Sequence, residues 1–173
     1  MTIPNIITFI RILFVPVFIH LLVNHQSTNI PGIVFVGLAI TDMLDGFIAR
    51  LFKMKTQLGA FLDAFADKLL ILSSYLVLTC LTKVPVWFFA VIVGRDIIVF
   101  LGWVLILILT GSSAVRPGFL GKISIVFEMA TLCILLFEMN SLINTFFYLT
   151  TLMTVVSIID YIIKGSKRIV PVA

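Results

Sequence analysis

Charge is what this sequence has least of. Only 12% of its 173 residues are Asp, Glu, Lys or Arg, where soluble domains carry about a quarter. Hydrophobic residues make up 61%, more apolar surface than a water-soluble chain of this length could bury, so the surrounding solvent must be lipid. Cysteine is nearly absent: Cys80 and Cys133 both lie in apolar runs. That excludes a disulfide framework and zinc-type spacing and reads as packing. There is no low-complexity segment and no internal repeat with matching residues. No Lys or Arg precedes the first apolar run, and no cleavage-type stretch follows it, which reads as a retained helix rather than a signal peptide. The expectation is one transmembrane domain over residues 1–173, with no soluble domain appended.

What is present is a series of apolar runs broken by polar or turn-forming clusters. They predict an all-α integral membrane protein with six transmembrane helices at roughly 5–23, 30–50, 58–81, 85–109, 119–138 and 143–163. One set of loop ends holds Arg50, Lys53, Lys55, Arg116, Lys122, Lys164, Lys167 and Arg168, and the opposite set holds Lys83 alone. The positive-inside rule then places both termini and the 51–57 and 110–118 loops in the cytoplasm. It also accounts for the net charge of +4 without nucleic acid as a partner. Trp87 falls at a predicted interface, and Lys164, Lys167 and Arg168 are placed to meet anionic headgroups.

Against this background four of the eight acidic residues fall between 42 and 67. A carboxylate in the hydrocarbon region costs about 2.5–3.5 kcal/mol on insertion scales, and four together would also repel one another. Asp42 and Asp45 are spaced i, i+3 and share a helix face; Asp63 and Asp67 are spaced i, i+4 and do the same. Folding the chain about position 54 brings Asp42 level with Asp67 and Asp45 level with Asp63. Helical rise then puts Asp42 about 12 Å in from Arg50. Four converging oxygen donors without His or Cys call for a hard divalent cation, Mg²⁺ or Mn²⁺, with room for two ions. Gly46, Ala49 and Gly59 line the same faces, either for close helix packing or for backbone approach by a ligand. Arg50, one turn below, is either a positive-inside anchor or a phosphate partner.

Written as a pattern, the stretch is Asp42-x2-Asp45-Gly46-x2-Ala49-Arg50-x8-Gly59-x3-Asp63-x3-Asp67. It resembles the signature of the CDP-alcohol phosphatidyltransferases, with every defined position filled, a coincidence on the order of 10⁻¹⁰ per window at average residue usage. The six-span plan extends the resemblance to essentially the whole chain. The resemblance implies that Asp42, Asp45, Asp63 and Asp67 bind two divalent ions that hold the diphosphate of CDP-diacylglycerol. It further implies that Gly46, Ala49, Arg50 and Gly59 contact the cytidine and its phosphates. Asp67 would act as the general base on the acceptor hydroxyl, and the products would be a phosphodiester lipid and CMP. A homodimer among membrane lipids, in a bacterial inner membrane with the active site facing the cytoplasm, is implied as well.

The acceptor is read from the rest of the chain. The opening Ile3-Pro4-Asn5-Ile6-Ile7-Thr8-Phe9-Ile10-Arg11 resembles that of bacterial phosphatidylglycerophosphate synthases. That resemblance would put Asn5, Thr8 and Arg11 near the donor phosphates; the alternative is a helix start at the interface. Arg95 inside span 4 is either an ion pair with Asp96 or the aspartate cluster, or a clamp for an anionic acceptor. In the second reading Arg116 and Lys122 complete a basic pocket that suits glycerol 3-phosphate. The chain departs from many such synthases in having Arg95-Asp96 for Arg-Glu, and Gly102-Trp103 where a further arginine falls. Gly94-Arg95-Asp96 also occurs in cardiolipin synthases of the family, so phosphatidylglycerol is an alternative acceptor and inositol phosphate a third. Glu138 is expected at the outer interface; Glu128 faces either the cavity or a neighbouring helix. Outside enzymes, a divalent-cation transporter would also want intramembrane carboxylates, though nearer the midplane and on repeated, interrupted helices.

Overall fold

The computed structural model describes residues 3–25, 28–51, 57–110 and 118–169; at 3–8, 42–51, 57–61, 63–64, 110 and 167–169 it describes the helical backbone alone. All regular structure among the described residues is helical: α1 Ile3–Asn24, α2 Ile30–Leu51, α3 Gln57–Cys80, α4 Val86–Thr110, α5 Phe119–Leu136 and α6 Asn140–Ile169. The six apolar runs therefore became six helices with ends within a few residues of those read from sequence, except that α6 continues to Ile169. Its last turns carry Lys164, Lys167 and Arg168, cations that suit a helix C-terminus and that a hydropathy reading takes as a stop. Three segments, Val86–Leu109, Phe119–Leu136 and Asn140–Ser166, are long and apolar enough to cross a membrane. The 24 residues of the first rise about 36 Å against a hydrocarbon core of about 30 Å. Outward-facing Ile108, Phe119, Val126 and Leu152 are what a lipid solvent tolerates.

Helix ends follow local chemistry. The Asn29 carbonyl accepts from Ile33 N, and Pro31, in the first turn of α2, lacks only an N–H that would have no partner there. The Pro85 carbonyl likewise starts α4 by accepting from Phe88 and Phe89. Two helices end in left-handed caps on residues other than glycine: Thr82 has φ 60° and Glu138 has φ 52°. In each the following N–H reaches back, Lys83 N to Leu78 O at 2.9 Å and Met139 N to Ile134 O at 3.1 Å, which is the Schellman pattern. A side chain in that conformation costs about 1 kcal/mol or more. Thr82→Gly is therefore expected to raise stability by about 1 kcal/mol, read as a higher midpoint of thermal unfolding in detergent; an unchanged or lower midpoint would mean the turn is not strained.

The chain divides into two compact units, one of Met1–Lys83 with Leu132–Met139 and one of Val84–Thr131 with Asn140–Ala173. In the first, α1 packs against α2 and α3. Arg11, Val15, Phe18 and Leu22 are all buried, an i, i+4, i+7, i+11 stripe along α1. Phe18 meets Phe35 of α2 with ring centroids 6.1 Å apart, and Leu22 and Leu78 of α3 line one small cavity. Lys83 Nζ donates to Glu138 Oε1 at 2.8 Å. In the second unit α4 packs against α6 through Phe88 and Phe147, 4.6 Å apart. Further along, Tyr161 Oη donates to the Val99 carbonyl at 2.9 Å. Tyr161 lies so close to α4 that a Cβ added at Gly102 would stand 2.6 Å from its Cε1. Thr131 and Thr150 hydroxyls join α5 to α6 at 2.6 Å, a polar pairing of the kind that holds helices together in lipid.

Candidate functional site

The four aspartates fall on two helices, Asp42 and Asp45 on α2, Asp63 and Asp67 on α3. Because the backbone is helical across 42–45 and 63–67, each pair shares one face of its helix, as the spacing requires. Gly46, Ala49 and Arg50 continue α2, and Gly59 lies in the first turn of α3. The side chains of Asp42, Asp45, Asp63, Ala49 and Arg50 lie outside the described residues, as do those of Asn5 and Thr8 on α1. Arg116 lies outside them altogether. Among the described residues no group of three or more His, Cys, Asp or Glu is placed to hold a metal.

Asp67 is described, and its surroundings are informative. Its side chain is 38% exposed, and Arg11 of α1, only 3% exposed, extends Nη1 to within 3.3 Å of Asp67 Oδ1. Sequence reasoning placed Arg11 among donor-phosphate residues and did not foresee this pairing. The available signal was an arginine on the apolar stripe of α1, which has to find a partner inside the membrane.

The second polar centre lies in the other unit. Arg95 of α4 is buried, with Nη1 on Asp96 Oδ1 at 2.9 Å. Its Nη2 donates to the Gly121 carbonyl and to Ser124 Oγ, each at 3.1 Å. Ser124 Oγ in turn donates to the Gly121 carbonyl at 3.0 Å. The ion pair with Asp96 is one of the two readings that the sequence left open. The ties to α5 were not read, although small Gly121 and Ser124 at i, i+3 mark the face a guanidinium could approach. Lys122 is exposed on α5. Nearby, Asp160 and Lys164 of α6 pair at 2.7 Å against Gly118, just before α5 begins. Glu128 is buried, and Glu138 is half exposed in its capping turn with Lys83.

Residues 1–159 match the model of the CDP-alcohol phosphatidyltransferase family. The chain belongs to that family, and it is an integral membrane protein. It is 43% identical over 104 residues to the CDP-diacylglycerol–glycerol-3-phosphate 3-phosphatidyltransferase of Pseudomonas fluorescens, covering 57% of this chain and 53% of that one. Against a protein of the same name from Bacillus subtilis it is 34% identical over 134 residues, 69% of this chain and 68% of the relative. Against the CMP-forming cardiolipin synthase of Rattus norvegicus it is 40% identical over 97 residues, 56% of this chain and 32% of that one. The chain thus spans about half the length of the Pseudomonas relative.

Proposed function

We propose that this protein transfers a phosphatidyl group from CDP-diacylglycerol to glycerol 3-phosphate and releases CMP. The observation that carries the reading is the eight-residue pattern from Asp42 to Asp67, lying on α2 and α3 of a chain whose residues 1–159 match the family. The names of the Pseudomonas and Bacillus relatives favour glycerol 3-phosphate. The rat cardiolipin synthase and the Gly94-Arg95-Asp96 triplet support phosphatidylglycerol as the second reading. Family membership favours an enzyme over the cation transporter.

In this mechanism the acceptor hydroxyl oxygen forms a bond to the phosphatidyl phosphorus, the bond from that phosphorus to the CMP oxygen breaks, and the hydroxyl proton passes to Asp67. Oxygen-only donors at i, i+3 and i, i+4 fit a hard cation, and two Mg²⁺ or Mn²⁺ ions held by Asp42, Asp45, Asp63 and Asp67 would supply charge neutralisation at the diphosphate. Gly46, Ala49, Arg50 and Gly59, with Asn5 and Thr8 from α1, would seat the nucleotide and its phosphates. Arg95, Arg116 and Lys122 would attract the acceptor's phosphate. Arg95 would act through its charge and its Nε, which has no hydrogen-bond partner among the described residues. Six crossings, cytoplasmic termini, an active site open to the cytoplasm of a bacterial inner membrane, and a homodimer complete the proposal.

Purified protein in detergent with CDP-diacylglycerol and Mg²⁺ is expected to release CMP when glycerol 3-phosphate is added, and at most slowly with phosphatidylglycerol, inositol phosphate or serine. Release with phosphatidylglycerol in preference to glycerol 3-phosphate would establish the second reading. No release with any alcohol would end both.

A further inference from the structure

We propose that Arg11 is a positioning residue, the group that fixes the carboxylate of Asp67 for proton transfer; this rests on Asp67 being the base. Arg11 belongs to the buried stripe of α1 with Val15, Phe18 and Leu22. A guanidinium there is held by its surroundings rather than swinging in solvent. Asp67 is the more exposed partner, at 38%. The carboxylate of Asp67 can take more than one staggered rotamer, and the Nη1 to Oδ1 contact at 3.3 Å favours the one that meets Arg11.

Helix packing backs the contact. α1 packs along α3; Arg11 meets Asp67 at one level, and Leu22 and Leu78 line the same cavity at another. The sequence offset is 56 residues at both levels, so α1 and α3 run parallel in a fixed register between them. The 3.3 Å separation is longer than the roughly 2.7–2.9 Å of a strong charge-assisted hydrogen bond. The contact is thus one directional hydrogen bond from a buried guanidinium to a single carboxylate oxygen. Misplacing a catalytic group by about 1 Å costs on the order of a hundredfold in rate.

The test compares Arg11→Ala, Arg11→Gln and Arg11→Lys with Asp67→Asn and the double variant Arg11→Ala/Asp67→Asn. Arg11→Ala is expected to lower kcat by about ten- to a hundredfold, with KM for CDP-diacylglycerol and for the acceptor within about twofold of the parent. Arg11→Lys should restore part of kcat and Arg11→Gln less, because lysine keeps the charge without the fork. Adding Arg11→Ala to Asp67→Asn should cost nothing further, the signature of two residues acting as a unit. Thermal unfolding and titration of the protein with CDP-diacylglycerol give readouts that do not depend on turnover. A raised KM or weakened CDP-diacylglycerol binding with kcat retained would make Arg11 a donor-phosphate ligand and overturn the proposal. Loss of kcat only in proportion to loss of folded protein across all three variants would make it structural and overturn it too. An inactive Asp67→Asn beside a fully active Arg11→Ala would sink this proposal alone, whereas a fully active Asp67→Asn would sink it together with the base assignment.

Discussion

Asp67→Asn is expected to leave a folded protein with kcat lowered by about a thousandfold or more. Removing a general base alone costs about 10²–10⁴-fold, and the same change takes a negative charge from the proposed ion site. The substitution is nearly isosteric, and an amide oxygen can still accept from Arg11, so the α1–α3 contact survives in weaker form. Asp67 itself is 38% exposed, and with the Arg11 contact kept through the amide oxygen the midpoint of unfolding should move little. CMP release under saturating substrates, read beside thermal unfolding, separates the two effects. Turnover at the parent rate would show that another group takes the proton.

Arg95→Ala is expected to cause the largest loss of stability, about 3 kcal/mol, as when one member of a buried ion pair is removed. The guanidinium is buried and bridges Asp96 on its own helix to Gly121 and Ser124 on α5, so its loss leaves those acceptors without their donor. Adding Asp96→Asn to Arg95→Ala should recover part of the loss, because it also removes the carboxylate charge that faces Arg95. Arg95→Lys should fall between the two, since an ammonium keeps the charge but cannot span three acceptors in one plane. Unfolding measured in detergent across this set checks the hold on α5. KM for glycerol 3-phosphate checks the acceptor role separately: it should rise in Arg95→Ala, and an unchanged value would remove Arg95 from the acceptor pocket while leaving its structural part intact.

The helices were legible because lipid-soluble segments announce themselves by composition, and because Pro31 and Pro85 begin helices and the polar breaks end them where backbone chemistry says they should. The end of α6 was not, since Lys164 ends a hydropathic run without ending a helix. The aspartate spacing was legible for the same reason that α2 and α3 are: i, i+3 and i, i+4 mean one face only if the backbone is helical there, and it is. Cross-helix partners were not legible. Arg11 and Asp67 are 56 residues apart, and Arg95 and Ser124 are 29 apart; nothing in local spacing names such a pair. Sequence could say only that a buried arginine must have an acceptor. Glu138 was expected at a membrane interface, and its half-exposed pairing with Lys83 fits a residue at a helix end, but the left-handed caps beneath that pair leave no mark in residues as ordinary as Thr82 and Glu138.

The close approach of Tyr161 to α4 ties two positions that seem independent on paper. With the ring where it is, position 102 has no room for even a methyl group. The extra arginine that many synthases carry near there could be grafted at 102 only if the aromatic at 161 moved aside, at the cost of its hydrogen bond to the Val99 carbonyl. Attempts to redirect this scaffold toward another alcohol by borrowing basic residues from its relatives should therefore treat 102 and 161 as one coupled site.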